Sequence, residues 1–251
     1  MKTKSKKKKI ILFTLLAVLL LLIAAAVWFF QFTHSGYKMT VPFRPSFEEI
    51  EDNVYINKGY AGSEEEVLEQ ILLAKGRGTA FFGELQGTDE TVFIICDDKK
   101  LLKKLGSEKD TSTLLFPVRR HYICISDEYL NLDIVSHELT HAELHSRLND
   151  KALRKLPTWF DEGIATQNDY REQYSAEEWE KQTDHGANAL APEDMDTPEE
   201  FYAGTAEDKR FRYLNAKHLV SEWMAAHGQE GLIALIGALN SGTDFETAFG
   251  G

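Results

Sequence analysis

The chain opens on a run with no polar face. Ile10 to Phe30 is apolar at every position but Thr14. As a helix rising about 1.5 Å per residue, a run of that length reaches roughly 31 Å, close to the ~30 Å hydrocarbon core of a bilayer. Trp28, Phe29 and Phe30 close the run, where aromatic rings favour the interface. Downstream the pattern becomes periodic. Ser63-Glu64-Glu65-Glu66 reads as a capping box ahead of Val67, Leu68, Ile71, Leu72 and Ala74, which predicts an amphipathic helix ending near Gly76-Arg77-Gly78. Thr79 to Leu85 and Thr91 to Cys96 are β-type runs, and Gln86 to Glu90 between them suggests a hairpin. Lys99, Lys100, Lys103 and Lys104 fall in a loop and read as a solvated face. His121 to Ser126 predicts another strand, with helices over 132–148, 158–170, 175–182, 211–227 and 229–240. Early strands followed mostly by helices predict an α+β fold, with a small antiparallel or mixed sheet ahead of a helical part.

Composition narrows the partners. Of 251 residues, 43% are hydrophobic and 27% charged, which excludes wholesale disorder. Formal net charge is -12, but Lys2, Lys4, Lys6, Lys7, Lys8 and Lys9 crowd the start. The remainder is more acidic still and would repel phosphate backbones, so a nucleic-acid partner is not expected. The lysines predict a cytoplasmic basic tail over 1–9 by the positive-inside rule, with a transmembrane signal anchor over 10–32. A stalk over 33–47 follows, where Pro42 and Pro45 disfavour helix, then an extracytoplasmic domain over 48–251. A signal peptide cleaved near Ala24-Ala25-Ala26, giving a secreted protein, is the alternative; the apolar run continuing through Phe30 and Phe32 speaks against it. Cys96 and Cys124 are too few for a disulfide scaffold, and read either as one disulfide in an oxidising compartment or as two buried thiols.

His137-Glu138-Leu139-Thr140-His141 is an HExxH sequence on an apolar-backed helix formed with Leu132, Ile134, Val135, Ala142 and Leu144. Residues four apart share a helix face, so both imidazoles can address one ion. Glu138, one position on, can reach a metal-bound water as general base without being a ligand. Glu162 is the candidate third ligand: Pro157 and Thr158 can start a new helix that carries it. Two histidines and a glutamate leave a fourth tetrahedral position to water, the catalytic zinc arrangement, in which that water reaches a pKa of about 7. Asp161 would point about 100° away from Glu162, and His145 lies roughly 6 Å further along its helix than the ion.

His137 to His141, followed after 20 intervening residues by the glutamate of Trp159-Phe160-Asp161-Glu162-Gly163-Ile164-Ala165, resembles a gluzincin zinc metallopeptidase. The stretch from Pro157 to Ala165 is similar to the membrane-anchored, peptidase MA-like bacterial type. Phe211 to Ala216, His227-Gly228 and Asp244 to Gly250 resemble the C-terminal helices of those proteins, so the likeness covers roughly 60–250. A metzincin would need Gly at position 144 and His at 147; the chain has Leu144 and Arg147. The resemblance implies a thermolysin-like core of sheet, active-site helix, glutamate helix and C-terminal helical subdomain. It implies a hydrolase holding Zn2+ through His137, His141 and Glu162, with Glu138 as base and a peptide or protein substrate. Tyr213, in a Y-x-x-A helix pattern, is its candidate oxyanion donor, with His185 and His218 as lesser ones. Thr166 stands where thermolysin-type enzymes carry an acid, which leaves Asp161 as a possible partner for a ligand histidine. In that fold Tyr122 to Ser126 would be a cleft-rim edge able to pair with an extended peptide. Residues 184–200 form either a loop over the cleft or a connector. Two further readings stay open: a non-catalytic binding module stabilised by zinc, and a zinc hydrolase of cell-wall amide bonds.

Overall fold

A computed structural model describes residues 2–107, 109–115 and 118–250, with backbone alone for 2–10. Helix α1 (Lys2–Phe32) and α2 (His34–Met39) precede strands β1 (Phe47–Glu51) and β2 (Val54–Asn57). Next come α3 (Glu64–Phe82), β3 (Val92–Cys96), α4 (Lys99–Leu105), β4 (Asp110–Leu115) and β5 (Arg120–Ser126). The rest is helical: α5 (Leu132–Arg147), α6 (Asp150–Leu153), α7 (Thr158–Gln167), α8 (Ala176–Gln182), α9 (Pro198–Phe201), α10 (Ala206–Asn240) and α11 (Phe245–Phe249). The fold is α+β, with a mixed five-stranded sheet in the order β1-β2-β3-β5-β4. The inner pairs β2–β3 and β3–β5 are parallel and the outer pairs antiparallel.

Alternation along the strands assigns each residue to a face. Phe93, Ile95, Ile123 and Ile125 pack against Val67, Ile71 and Ala74 of α3 and Val135, Leu139 and Ala142 of α5. Val92, Ile94, Tyr122 and Cys124 pack on the other side against Tyr37 of α2, Val41 and Leu105 of α4. Both faces of β3 and β5 are therefore covered, which is why these strands read as continuous apolar runs. A third core joins α7 to α10 and α11 through Phe160, Ile164, Ala216, Val220, Leu232 and Phe249. Gly163 sets the approach of α7 to α10: a Cβ there would stand 2.6 Å from the Ala216 carbonyl oxygen and 2.6 Å from Val220 Cγ2. Within α10 the chain kinks at Gly228 (φ 65°, ψ −168°), at the boundary expected between the last two long helices.

Several expectations change. The strand over Thr79 to Leu85 and its hairpin do not form. Helix α3 runs on to Phe82, whose ring enters the third core, and Gly83 at φ 86° stops it. The turn that follows is drawn onto the buried Glu143 carboxylate, which accepts from Gln86 N (2.8 Å), Gly87 N (3.0 Å) and Arg147 Nε (2.8 Å). Those bonds take the chain across to a parallel strand instead of back along an antiparallel one. The lysine segment is not a loop but helix α4, capped by Asp98, which accepts from Lys100 N and Leu101 N, and ended by Gly106 at φ 74°. Residues 33–47 are packed where a stalk was expected: Tyr37, Val41 and Phe47 are buried, and the Pro42 segment is a 3-10 turn. Strand β5 is interior to the sheet, so it is not the cleft-rim edge; β4 takes that place. Cys96 and Cys124 are both buried free thiols, which removes the disulfide reading.

The α7–α10 contact gives a test of packing. Gly163→Ala should overpack it and lower stability by about 1–3 kcal/mol, a melting temperature lower by roughly 2–12 °C. An unchanged melting curve would show that the two helices can part freely.

Candidate metal centre

Helix α5 begins at Asn131, whose Oδ1 accepts from Ile134 N at 3.0 Å, and its apolar side lies on the sheet. That fixes His137 and His141 one turn apart on the opposite side, with ring centroids 4.9 Å apart. Helix α7 begins after Pro157, with Thr158 N and Trp159 N donating to the carbonyls of Asp196 and Met195. With Gly163 seated on α10, Glu162 faces α5. Three donor atoms meet there. His141 Nε2 lies 3.2 Å from His137 Nε2 and 3.2 Å from Glu162 Oε2, and His137 Nε2 lies 3.4 Å from Glu162 Oε2. All three residues are buried.

These separations fit a tetrahedral ion. Donors about 2.05 Å from zinc subtend edges of about 3.4 Å. The proton bookkeeping fits as well. Asp161 Oδ1 accepts from His141 Nδ1 at 2.8 Å, which leaves Nε2 to face Glu162. In the metal-free protein a proton on His141 Nε2 bridges the two atoms, and a bound cation would take that proton's place. Asp161 also accepts from His145 Nε2 at 2.8 Å, which places His145 behind the donor cluster rather than in it. The Tyr202 hydroxyl donates to the other Glu162 oxygen, Oε1. His137 Nδ1 is buried without a direct hydrogen bond and stands 3.9 Å from Asp169 Oδ2.

The carboxylates around the cluster divide by environment. Burial raises the Glu138 pKa to about 7, against the pull of His137 and His141. Burial would also raise Glu162 and Asp161, but the histidines beside each hold it far below the ordinary carboxylate range. Burial alone would lower His141; the Asp161 and Glu162 carboxylates overcome that and keep it well above its usual value. Glu138 and His137 open onto a cleft of about 680 Å³, rimmed by Lys109, Arg171, Lys209, Arg210 and Tyr213. The Tyr213 ring lies 6.1 Å from the His137 ring, and burial first, then Glu162, push its phenol above the ordinary range.

Other expected residues fall elsewhere. His218 stacks on Trp179 at 3.4 Å, His185 is exposed and bonded to Glu180, and neither lines the cleft. Residues 184–200 do not line it either. Thr166 is buried, its hydroxyl bonded to the Glu162 carbonyl oxygen of its own helix. Tyr202 and Asp169 escape sequence reasoning. Tyr202 follows α9 at the end of an aperiodic segment, and Asp169 sits just past α7 with no motif to mark it.

A pH dependence of stability follows for the metal-free protein. The raised His141 stabilises fully below its ordinary 6.5 and loses that contribution as pH climbs toward the raised value. The depressed Asp161 and Glu162 stabilise above their ordinary 3.8 and 4.5 and lose it as pH falls. Thermal melts in chelator should therefore decline on the alkaline side of about pH 6.5, and Asp161→Asn should flatten that decline. An alkaline limb equally steep in the variant would place its origin elsewhere.

No protein-family model matches the chain. Over 99 residues, 39% of its length, it is 32% identical to ribose-5-phosphate isomerase A of Borreliella afzelii. The match covers 42% of that protein, so the chain spans less than half the length of the curated relative. The relative bears the name of an isomerase, a different enzyme class from the hydrolase implied by the motif. On that finding the expected assignment as a zinc metallopeptidase is corrected.

Proposed function

We propose that His137, His141 and Glu162 hold one divalent cation, zinc by their donor set, and that Glu138 serves beside it as the general base for a carbonyl-bearing ligand in the cleft. The observation that carries this reading is the 3.2–3.4 Å triangle of buried donor atoms with Glu138 opening onto the same cleft. Zinc bound there would supply Lewis acidity, polarising a carbonyl and bringing the pKa of water toward about 7. The protein's own part is to hold and move protons. Glu138, poised near neutrality, accepts a proton from water or ligand and returns it. Asp161 holds His141 by its Nδ1–H, and Tyr202 orients Glu162 through Oε1. Tyr213, its phenol kept neutral, is the donor for negative charge developing on the ligand oxygen.

The order of sheet, α5, α7 and α10 supports a thermolysin-like core. Asp110, the first residue of edge strand β4, lines the cleft beside Glu138, so an extended backbone could pair along that strand. The similarity to an isomerase favours a second use of the same base, moving a proton between adjacent carbons of a sugar phosphate, with Lys109, Lys209 and Arg210 meeting the phosphate. Helix α1, with 22 residues from Ile11 to Phe32 long and apolar enough to cross a membrane, supports an anchor. The lysines before it support a cytoplasmic N-terminus, with the rest of the chain outside.

The test uses the full chain, wild type and Glu138→Gln, with metal content measured on both. About one zinc per chain is expected in each, because Glu138 is not a ligand. The two proteins are then offered a peptide mixture and, separately, ribose 5-phosphate. Turnover in either arm should fall by about 10²–10⁴ in the variant. Asp161→Asn should weaken zinc binding by roughly 10–100-fold. Absence of bound zinc in wild type would overturn the metal reading, and turnover indifferent to Glu138→Gln would overturn the role of the base.

A further inference from the structure

Helix α4 carries its charge on one side. At 100° per residue Lys99, Lys100, Lys103 and Lys104 occupy an arc of about 140°, and Leu101, Leu102 and Leu105 fall in the opposite arc. The leucines face the core and the four lysines are exposed. In isolation that is a solvated face. Its position makes it something else, because α4 stands where α1 ends. His34, two residues past α1, sets Nδ1 at 3.1 Å from the Lys104 carbonyl oxygen, and its ring lies against Gly106, where a Cβ would be 2.7 Å from His34 Cγ. Lys104 Nζ lies 5.5 Å from the Tyr37 ring of α2.

The end of α1 is fastened to this face as well. Arg44 donates to the Phe30 carbonyl oxygen at 2.5 Å and stacks over Tyr37 at 3.5 Å. Lys38 of α2 donates to Thr113 of β4 at 2.8 Å. Gly36 touches Phe29 so closely that a Cβ would stand 2.2 Å from its carbonyl oxygen. A helix fixed in this way holds the surface around its end at the level where the helix leaves the bilayer. Two large apolar side chains are exposed there, Phe32 at 75% and Phe43 at 85%. Phenylalanine at the end of the apolar helix and lysine on the α4 helix packed against the α2 segment that follows it are the residue types of a surface that enters the headgroup layer.

We propose that α4 and the Val41–Phe43 turn dock on an anionic phospholipid bilayer, the one that α1 crosses; the proposal rests on the membrane reading of α1. Lys99, Lys100, Lys103 and Lys104 meet headgroup phosphates and Phe43 inserts between them. The partner is chosen by position and charge. The body beyond the N-terminal lysines carries a large excess of acidic residues, so this basic helix is a local exception. Tethering by α1 supplies the bilayer at high effective concentration, so modest attraction is enough. The metal cluster belongs to α5 and α7 on the opposite side of the sheet, so docking would turn the cleft side of the sheet away from the lipid.

The experiment uses the full chain in nanodiscs of phosphatidylcholine alone or mixed with phosphatidylglycerol. Phe43→Cys is labelled with a polarity-sensitive dye; Cys96 and Cys124 are buried and stay unlabelled. With phosphatidylglycerol the emission should move to the blue and access of an aqueous quencher should fall about two-fold or more. High salt should reverse both changes, because the attraction is screened beyond a Debye length. The variant Lys99→Gln, Lys100→Gln, Lys103→Gln, Lys104→Gln, built on the same label, should give the phosphatidylcholine result in either lipid. Its melting curve should stay close to that of the parent, since all four side chains are exposed and only Lys104 Nζ, 5.5 Å from the Tyr37 ring, gives up a contact. Emission indifferent to lipid charge, or unaltered in the quadruple variant, would overturn the docking. Flotation with vesicles in high salt reads the anchor separately: a chain that floats without the spectral change overturns docking alone, and one that fails to float overturns the membrane reading with it.

Discussion

Everything at the site depends on forcing three lone-pair donors from two helices to within 3.4 Å of one another in the interior. Nothing about a helix pair makes that comfortable. Two imidazole nitrogens and a carboxylate oxygen repel unless a proton or a metal cation lies among them, and burial makes the repulsion worse. The surrounding structure holds them there from behind. Asp161 grips His141 by Nδ1, and Tyr202 grips Glu162 by Oε1. Gly163 lets α7 lie close enough to α10 to carry Glu162 into place. Remove any one and the donors gain a direction in which to relax.

The sheet divides the molecule into two sides. Residues of opposite parity on β3 and β5 hold α3 and α5 on one face and α2 and α4 on the other. The donor helix α5 rests on the first face. The chain leaving α1 is fastened to the second. The sheet thus lies between the segment that follows the apolar helix and the donor cluster, and the packing of that segment fixes how the two are placed. The packing of residues 33–47 is therefore as consequential as the site itself.

Local chemistry was legible in the sequence where a spacing or a cap enforces it. His137 and His141 are four apart on a helix with an apolar backing, so their convergence follows from helix geometry alone. Glu162 was reachable because Pro157 and Thr158 mark a helix start. Tertiary choices were less legible. Thr79 to Phe82 have strand-like composition, yet Phe82 is buried in a core built from helices 60 or more residues downstream. The turn after it is decided by Glu143, which no local pattern announces. Strand β5 was recognisable as a strand, but whether it lies at an edge depends on β4, whose run from Asp110 to Leu115 is too polar to stand out. Tyr202 and Asp169 reach the cluster only through the path of the chain after α7, and a single sequence carries no signal for that path.

The two glutamates at the site show how the same side chain is driven to opposite protonation states. Both are buried, and burial alone pushes each toward the neutral form. For Glu162 hydrogen bonds and charge from His137 and His141 reverse the push, so the carboxylate stays ionised and suited to a cation. For Glu138 the same histidines oppose burial without overcoming it, and the group is left near neutrality. A ligand must stay charged, whereas a base must give its proton back, and environments that drive two carboxyl groups apart in this way suit the division of labour proposed for them. Position on α5 produces the difference. Glu138 follows His137 by one residue, so it is turned about 100° from the ligand face and looks into the cleft instead of across to α7.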